Sequence, residues 1–427
     1  MILFEGQLLS DDKLDEVLNG LWDSCLKRIR EREDIHKKVM RACERVACKL
    51  KTGAYDEIIQ SLLAKGTVTQ KQFEEVFELF SEKNMQLKYD VELGKFKKEI
   101  EADTCTGKIK SVEPLGILFH IAAGNAEGLP FYSVLEGLLS GNINILKLPS
   151  MDDGISVMLL HEVIKEEPAL AGYICVLDVP STNIDVMKRL ADMSDAIVVW
   201  GGDAAIQAIR AYASPNTQII SWGHKLSFAY VTEEVLMDEN MQKELYSLAR
   251  HMCETRQVLC SSCQGIFVDS EDKSIVTAIG EKYFDILREV SREYIPESIG
   301  VRGKVSISLY NEELENREGE KTILKENGVS VIISPDSKLE LSYMFRNCWV
   351  KPLLRKDIVL NLKGSKGYLQ TVGFICKEEE RHSLSKEFVK AGVIRITRGG
   401  NMSSAMPGET HDGEYPLRRY CKIVEIE

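Results

Sequence analysis

One stretch decides the fold of this chain: AIVVWGGDA, residues 196–204. Its apolar run from Ala196 to Trp200 has no polar alternation, which predicts a strand buried on both faces. Two glycines and an aspartate follow, and helical spacing begins at Ala204. A buried strand that leads directly into a helix indicates one unit of a parallel sheet covered by helices.

The same unit repeats on both sides of this stretch. Apolar runs predict strands at residues 117–121, 144–148, 173–177, 219–220 and 228–231. Helical spacing lies between them, at residues 129–139, 155–166, 184–191 and 204–212. Because crossovers between parallel strands are right-handed, the predicted fold is α/β, with a doubly wound parallel sheet of the nucleotide-binding type.

Less regular regions flank this sheet. Residues 10–93 show helical spacing, with a capping box at Thr69-x-x-Gln72, and carry no chemical cluster. After Asp269 the pattern predicts helices at residues 275–288 and 384–391. It predicts strands there at residues 305–309, 329–333, 357–362, 393–396 and 415–427.

Composition narrows the class of protein. Hydrophobic residues make up 44% and charged residues 28%, which is typical of a globular chain. The net charge of −12 argues against general binding to nucleic acid or anionic membranes. The eleven cysteines form no dense framework, and neither a signal peptide nor a membrane-spanning run is present, so we expect a cytoplasmic protein.

A second stretch, RQVLCSSCQGIFVD at residues 256–269, carries the chemistry. Cys260 lies between a predicted helix, 242–253, and a predicted strand, 265–268, where a scaffold can present a nucleophile. It could equally be a buried structural thiol or, with Cys263, a redox pair or half of a zinc site. No second close-spaced cysteine pair supports zinc, so we predict no metal.

Polar residues and glycines follow three of the predicted strands, where ligands bind to parallel sheets. Asn125 can donate its amide to an oxyanion, or simply cap a helix. Lys147 and Ser150 suit a phosphate or ribose, although a lysine at a strand end is often just solvated. Gly201 and Gly202 allow close approach of a pyrophosphate, or form a tight turn.

The order of these motifs resembles that of the aldehyde dehydrogenase superfamily. The more specific similarity is to the long-chain acyl-CoA reductase family, the reductase component of the bacterial luminescence fatty acid reductase complex. The motifs that carry it are EPLG at 113–116, Gly124-Asn125, Gly141-Asn142, LKLPS at 146–150, Gln257-x-x-Cys260 and LQTVG at 369–373. The resemblance covers about residues 105–427.

The resemblance implies a fold and a reaction. It implies an aldehyde-dehydrogenase-like pair of α/β domains, and the reaction of acyl-CoA with NADPH to give aldehyde, NADP⁺ and CoA. Cys260 would form the acyl-enzyme, and Asn125 with the Cys260 N–H would hold the oxyanion. Lys147 and Ser150 would contact the cofactor ribose or 2′-phosphate, and Gly201 with Gly202 the pyrophosphate. Cys263 has no catalytic counterpart.

Two departures from the superfamily pattern matter. Oxidising members place a glutamate where this chain has ISWGHK, residues 220–225, and that glutamate activates the water that hydrolyses the thioester. We therefore expect a long-lived acyl-enzyme, with His224 and Glu127 as weaker candidate bases. The Glu-x-Phe-Gly element that holds the nicotinamide ribose is also missing near residues 350–353.

The resemblance also implies an organisation and partners. We expect a helical region 1–104, an NAD(P)-binding domain 105–250, a catalytic domain 251–410, and a strand 411–427 that takes part in a homo-oligomer. The acyl group would arrive on CoA or another carrier, with an acyl-transferring protein as a partner. Alternatives are a short-chain acylating aldehyde dehydrogenase that uses NAD, and a non-catalytic dinucleotide-binding protein.

Overall fold

The computed structural model describes the chain except for residues 55–59, 61–77, 104, 106, 123–127, 151, 153, 317–318 and 405. The predicted capping box at Thr69 lies outside the described residues. Two compact units are formed: Met1–Gly223 together with Ala405–Glu427, and His224–Ser404. No helix in the described ranges is long and apolar enough to cross a bilayer.

Helices and strands alternate along most of the chain. The strands are β1 (Ile2–Phe4), β2 (Gln7–Leu9), β3 (Ile109–Pro114), β4 (Ile117–Ile121), β5 (Ile143–Lys147), β6 (Ile174–Leu177), β7 (Ala196–Trp200), β8 (Gln218–Trp222), β9 (Leu226–Val231), β10 (Cys263–Val268), β11 (Thr322–Glu326), β12 (Val329–Ile333), β13 (Asn347–Pro352), β14 (Leu369–Ile375), β15 (Arg395–Arg398) and β16 (Cys421–Ile426). The helices are α1 (Leu14–Arg30), α2 (His36–Lys51), α3 (Glu82–Tyr89), α4 (Lys95–Ala102), α5 (Leu129–Leu139), α6 (Ile155–Glu166), α7 (Ile184–Asp192), α8 (Asp203–Tyr212), α9 (Glu239–Thr255), α10 (Lys273–Ser291), α11 (Ile299–Glu315), α12 (Ile358–Leu362), α13 (Glu378–Ala391) and α14 (Pro416–Arg419).

The first unit is built on a seven-stranded sheet of order β2-β1-β6-β5-β4-β7-β8. Strands β4 to β8 are parallel, and β1 joins β6 in the antiparallel sense. The apolar residues of β7 are all buried, as expected for a strand covered on both faces. Connections run to one side from β4 and to the other from β7, which makes their carboxyl ends the switch point of the sheet.

The second unit contains another seven-stranded sheet, of order β11-β12-β13-β10-β9-β14-β15. Its strands are parallel except for β11, which pairs with β12 in the antiparallel sense. Alternate residues of β9 feed two separate cores: Phe228 and Tyr230 pack in one, Ala229 and Val231 in the other. Both faces of this sheet are therefore covered, and the predicted α/β class is confirmed.

The division between the units falls after Gly223, earlier than the boundary predicted after residue 250. The reason is that β9 hydrogen-bonds to β10 and β14 inside the second sheet. The N-terminal helices α1 and α2 share one core with the first sheet, so residues 1–104 form no separate unit. The tail strand β16 pairs with β3 of its own unit.

Two predicted strands are wrong. Residues 305–309 lie inside helix α11. Ser298 is the N-cap residue of this helix, and its hydroxyl accepts from Val301 N. Among its residues only Leu309 is buried, so the apparent alternation does not reflect a buried sheet face. Residues 357–362 form a turn and the short helix α12. Strand β13 was not predicted, because its asparagine, lysine and proline obscure a fully paired strand.

Candidate active site

Cys260 lies on a short loop between helix α9 and strand β10. Asp238 caps the start of α9, accepting from Asn240 N and Met241 N. The helix ends with Arg256 and Gln257 in the left-handed region, at φ 51° and 59°. Such a conformation costs roughly 1–2 kcal/mol for each residue with a side chain. Surrounding contacts must therefore hold this loop in place.

The Gln257 side chain supplies most of those contacts. It is 1% exposed, and its Oε1 accepts from Arg346 N at 2.8 Å and Asn347 N at 3.2 Å. Its Nε2 donates to the Cys263 carbonyl at 3.0 Å and lies 3.2 Å from the Ser342 hydroxyl. One buried amide thus joins the start of β10 to the start of β13. We call this arrangement the Gln257 clasp.

The segment that faces the clasp is also strained. Met344, Phe345 and Arg346 have φ values of 57°, 52° and 71°. Phe345 N donates to the Arg256 carbonyl at 3.1 Å. Arg256 is in turn held by a bidentate ion pair with Glu297, at 3.0 and 2.6 Å. Left-handed residues on both sides of the clasp therefore stabilise one another through hydrogen bonds that only this fold provides.

A second anchor holds the loop at Cys260 itself. The Ser227 hydroxyl donates to the Cys260 carbonyl at 2.7 Å and accepts from Thr371 N at 3.0 Å. Ser227 and Thr371 are buried in the neighbouring strands β9 and β14. The Ser261 hydroxyl lies 2.8 Å from that of Ser403. The peptide after Cys260 is thus fixed to the sheet while its thiol remains partly exposed.

The neighbouring thiols are in a different environment. Cys263 is fully buried, its thiol donates to the Gly265 carbonyl, and burial raises its pKa to about 12. Burial likewise raises the pKa of Cys253 to about 12. Burial lowers the pKa of His251 to about 4, and its Nε2 accepts from Cys263 N. Across the residues that are described, no three His, Cys, Asp or Glu side chains are grouped to hold a metal.

Lys147 ends strand β5 of the first sheet. It is 7% exposed, so its aliphatic stem is buried, and no hydrogen bond or ion pair reaches its ammonium from the described residues. Burial lowers the pKa of Lys147, while the Asp178 carboxylate opposes that effect. Ser150 follows on the exposed side of the same strand end. Lys147 and Ser150 can therefore contact an anionic or hydroxylated ligand.

Gly201 and Gly202 connect strand β7 to helix α8. Gly201 N donates to the Trp222 carbonyl at 3.2 Å, and Gly202 is the N-cap residue of the helix. A Cβ on Gly202 would meet no atom of the described residues within 4 Å. Because β5 and β7 flank β4, these glycines and Lys147 lie at the carboxyl ends of strands on either side of β4.

A buried polar chain underlies this edge of the first sheet. Trp200 Nε1 donates to the Ser133 hydroxyl at 2.9 Å, and that hydroxyl lies 2.7 Å from His120 Nδ1. His120 Nε2 lies 2.9 Å from Asn144 Oδ1, so the imidazole donates there and accepts from Ser133. Burial lowers the pKa of His120 to about 4, which keeps it neutral. The chain joins β4, β5, β7 and α5.

Other predicted site residues have different outcomes. Asn125 and Glu127 lie outside the described residues. His224 is exposed between β8 and β9. The Glu-x-Phe-Gly element is missing near residues 350–353. Lys351 in this segment is 2% exposed and donates to Asp336 at 2.8 Å and Glu340 at 2.6 Å. Lys351 also donates to the Lys338 carbonyl, so its three protons are used within the fold.

Ser227, Thr371 and the 344–347 segment were not predicted as site residues. One signal was present, because Ser227 is a polar residue in a strand that is otherwise apolar. Gln257 was quoted as part of a motif, but its partners lie about ninety positions away in the chain. Spacing within a motif carries no information about contacts of that range.

Solved structures with the same fold are aldehyde dehydrogenases. Aldehyde dehydrogenase 21 from Physcomitrella patens, in complex with the reaction product succinate, has a TM-score of 0.67 at 11% identity, covering 98% of this chain and 90% of that one. Glyceraldehyde-3-phosphate dehydrogenase GapN from Methanocaldococcus jannaschii, complexed with NADP, has a TM-score of 0.70 at 12% identity, covering 98% and 95%. The aldehyde-dehydrogenase-like fold is therefore confirmed.

Curated relatives share a more specific similarity. The long-chain acyl-protein thioester reductases of Vibrio harveyi and Aliivibrio fischeri are 23% and 22% identical to 74% of this chain. The matched part spans 65% and 64% of those proteins, slightly less than two thirds. A sequence model of the acyl-CoA reductase (LuxC) family matches residues 33–423. This chain therefore belongs to the acyl-CoA reductase (LuxC) family.

Proposed function

We propose that this protein reduces a long-chain acyl thioester to the aldehyde, with NADPH, through an acyl-enzyme on Cys260. One observation carries the proposal: Cys260 is partly exposed on a loop whose backbone is held by buried side chains. The other cysteines of the second unit, Cys253, Cys263, Cys348 and Cys376, are all buried. A fixed, accessible thiol among buried ones is what nucleophilic catalysis requires.

The reaction starts at Cys260 Sγ. The thiolate attacks the thioester carbonyl carbon, and the amide of Asn125 with the Cys260 N–H stabilises the oxyanion. The carrier thiolate leaves and takes up a proton, which leaves the acyl group on Cys260. Lys147 and Ser150 would hold NADPH, which would supply the hydride for reduction of this acyl group. The second tetrahedral adduct then collapses to the aldehyde and restores the Cys260 thiolate.

The residues that would hold the cofactor fit that group. Lys147 offers a desolvated ammonium without an ion-pair partner in the described part of the chain, which suits a 2′-phosphate or a ribose hydroxyl. Ser150 adds a hydroxyl at the same strand end. Because no described atom lies within 4 Å of a Cβ placed on Gly202, a pyrophosphate could approach the start of α8 there. The first unit would then bind the cofactor, and the second would carry out acyl transfer.

The proposal extends to the acyl carrier and the assembly. The relatives are named as acyl-protein thioester reductases, so the acyl group would arrive on CoA or on a protein thiol. An acyl-transferring protein would then be a physical partner. The edge strand β16 is paired on one side only, with β3, and would contribute to a homo-oligomer.

Single-turnover mass spectrometry tests the function. Incubated with a long-chain acyl-CoA and no NADPH, the protein should gain one acyl group on Cys260 and release about one equivalent of CoA. NADPH should then discharge the label as aldehyde. General-base help in hydrolysis is worth roughly 10²–10⁴-fold, and residues 220–225 contain no carboxylate, so the label should persist in buffer.

Two outcomes would contradict the proposal. Steady release of free fatty acid would mean that a base is present and that the enzyme is hydrolytic or oxidising. Acylation of a Cys260→Ala variant would mean that another group is the nucleophile. Equal labelling by acetyl-CoA and long-chain acyl-CoA would instead favour the short-chain acylating alternative.

A further inference from the structure

A cavity lies at the end of the first sheet that is opposite to Lys147 and Gly201. Its volume is about 220 Å³. Four of its lining residues, Gly116, Ile143, Tyr173 and Asp195, precede or begin strands β4, β5, β6 and β7. The cavity therefore lies at the amino ends of these parallel strands, whereas Lys147 and Gly201 lie at the carboxyl ends. We call it the amino-edge cavity.

Three basic side chains line the amino-edge cavity. Arg28 comes from helix α1, Arg32 follows that helix, and Lys422 comes from strand β16. The chain as a whole carries a net charge of −12, so a cluster of three basic side chains is opposite in sign to the overall charge. One acidic residue, Asp195, also lines the cavity, and its Oδ2 accepts from Ile117 N at 2.7 Å.

The three cations differ in how far they are already satisfied. Arg32 donates to the Glu113 carboxylate at 2.7 Å, and Lys422 donates to the Leu115 carbonyl at 3.3 Å. Arg28 has no carboxylate partner within the described ranges, and its buried Nε has no hydrogen-bond acceptor there. Desolvated charged donors of this kind are costly unless a ligand or water accepts from them.

The guanidinium of Arg28 is also held in place. It lies over the Tyr173 ring, 5.1 Å from the centroid. The same guanidinium packs against Gly172, because a Cβ added to Gly172 would lie 2.7 Å from Arg28 Nε. An arginine that is already ordered loses little conformational entropy when it binds an anion.

We propose that the amino-edge cavity binds a small phosphate-type oxyanion, either free phosphate or the terminal phosphate of an ester. Arg28 and Lys422 provide the principal contacts, and Arg32 completes the positive rim. A guanidinium fork matches phosphate oxygens, and the charge attracts a dianion more than a monoanion. The cavity is smaller than the usual range for drug-sized ligands, so a single phosphate group fits it better than a dinucleotide. This site is independent of the thioester chemistry.

Calorimetric titration with inorganic phosphate, at ionic strength matched with chloride, tests the proposal. Wild type should bind phosphate saturably at this site, and Arg28→Gln and Lys422→Gln should each weaken binding about tenfold or more. Arg30→Gln is the matched control, because Arg30 is an exposed cation on the same helix, and it should bind like wild type. Absence of saturable binding, or equal binding by all variants, would overturn the proposal.

Further variants exclude trivial explanations. Arg28→Lys keeps the charge but not the guanidinium fork, so it should bind phosphate more weakly than wild type and more tightly than Arg28→Gln. This order separates a lost contact from a misfolded chain. Lys147→Ala should leave unchanged the binding that Arg28→Gln and Lys422→Gln weaken, whereas loss of that binding in Lys147→Ala would assign the anion to the carboxyl edge and refute the site. Phosphopantetheine that binds more tightly than phosphate would identify an ester as the ligand, and weaker binding would identify the free ion.

Discussion

Replacing Gln257 by alanine should both destabilise the second unit and slow acylation. The substitution leaves the Arg346 N–H and the Cys263 carbonyl without the buried side chain that pairs with them, while the Asn347 N–H keeps its bond to the Met344 carbonyl at 3.0 Å. Each buried group that loses its partner costs about 1–3 kcal/mol, so we expect a loss of about 2 kcal/mol or more in the free energy of unfolding. A new cavity would add to this loss.

The functional effect follows from the same contacts. Without the clasp, the left-handed residues on both sides can relax, and the Cys260 loop can move relative to β10. A displacement of about 1 Å at a reacting atom can cost about 100-fold in rate. We therefore expect the single-turnover acylation rate to fall by about that factor, with a much smaller change in the apparent affinity for acyl-CoA.

Urea unfolding and rapid-quench acylation measure the two effects. Gln218→Ala is the control, because Gln218 is an exposed glutamine at the start of β8 and its loss should change stability by no more than about 0.5 kcal/mol. Gln257→Glu keeps the acceptor for Arg346 N and Asn347 N but not the donor to Cys263, so it should be intermediate. A Gln257→Ala protein that behaves like the Gln218 control would refute the reasoning.

Three other predictions concern single residues. Cys260→Ala should abolish acyl-enzyme formation and aldehyde production, while Cys263→Ala, at a buried protonated thiol, should keep most activity; wild-type turnover by the first variant would exclude Cys260. Lys147→Ala should raise KM for NADPH much more than KM for NADH, measured in steady state, and equal increases would mean that Lys147 does not contact a 2′-phosphate. In His120→Gln, the free energy of unfolding should fall less than in wild type when the pH drops from 7 to 4.5, as measured by urea unfolding.

The sign of the His120 effect follows from its burial. Its folded pKa of about 4 lies below the ordinary value of 6.5. Between these values the unfolded chain binds a proton that the folded chain does not, so the free energy of unfolding falls as the pH drops from 6.5 to 4. The full contribution is about 3 kcal/mol. A slope in His120→Gln identical to that of wild type would contradict the assignment.

Burial pattern made the first sheet predictable. The apolar runs that became β4, β5, β6 and β7 lie in strands covered on both faces, so most of their positions are apolar. The buried exceptions His120 and Asn144 are hydrogen-bonded to each other. Helix α11 was misjudged for the opposite reason. It is largely exposed, and alternation of valine, isoleucine and serine on an exposed surface does not distinguish a strand from a helix.

The sequence by itself determined the α/β class, the strands that precede Lys147 and Gly201, and the loop that carries Cys260. Those features depend on local apolar runs and glycines, which act over a few residues. Only the tertiary structure decided where the chain divides, how Gln257 reaches Arg346 and Asn347, and how Ser227 holds the Cys260 carbonyl. These contacts join residues far apart in the chain, and their energy arises only when burial removes competing water from their polar groups.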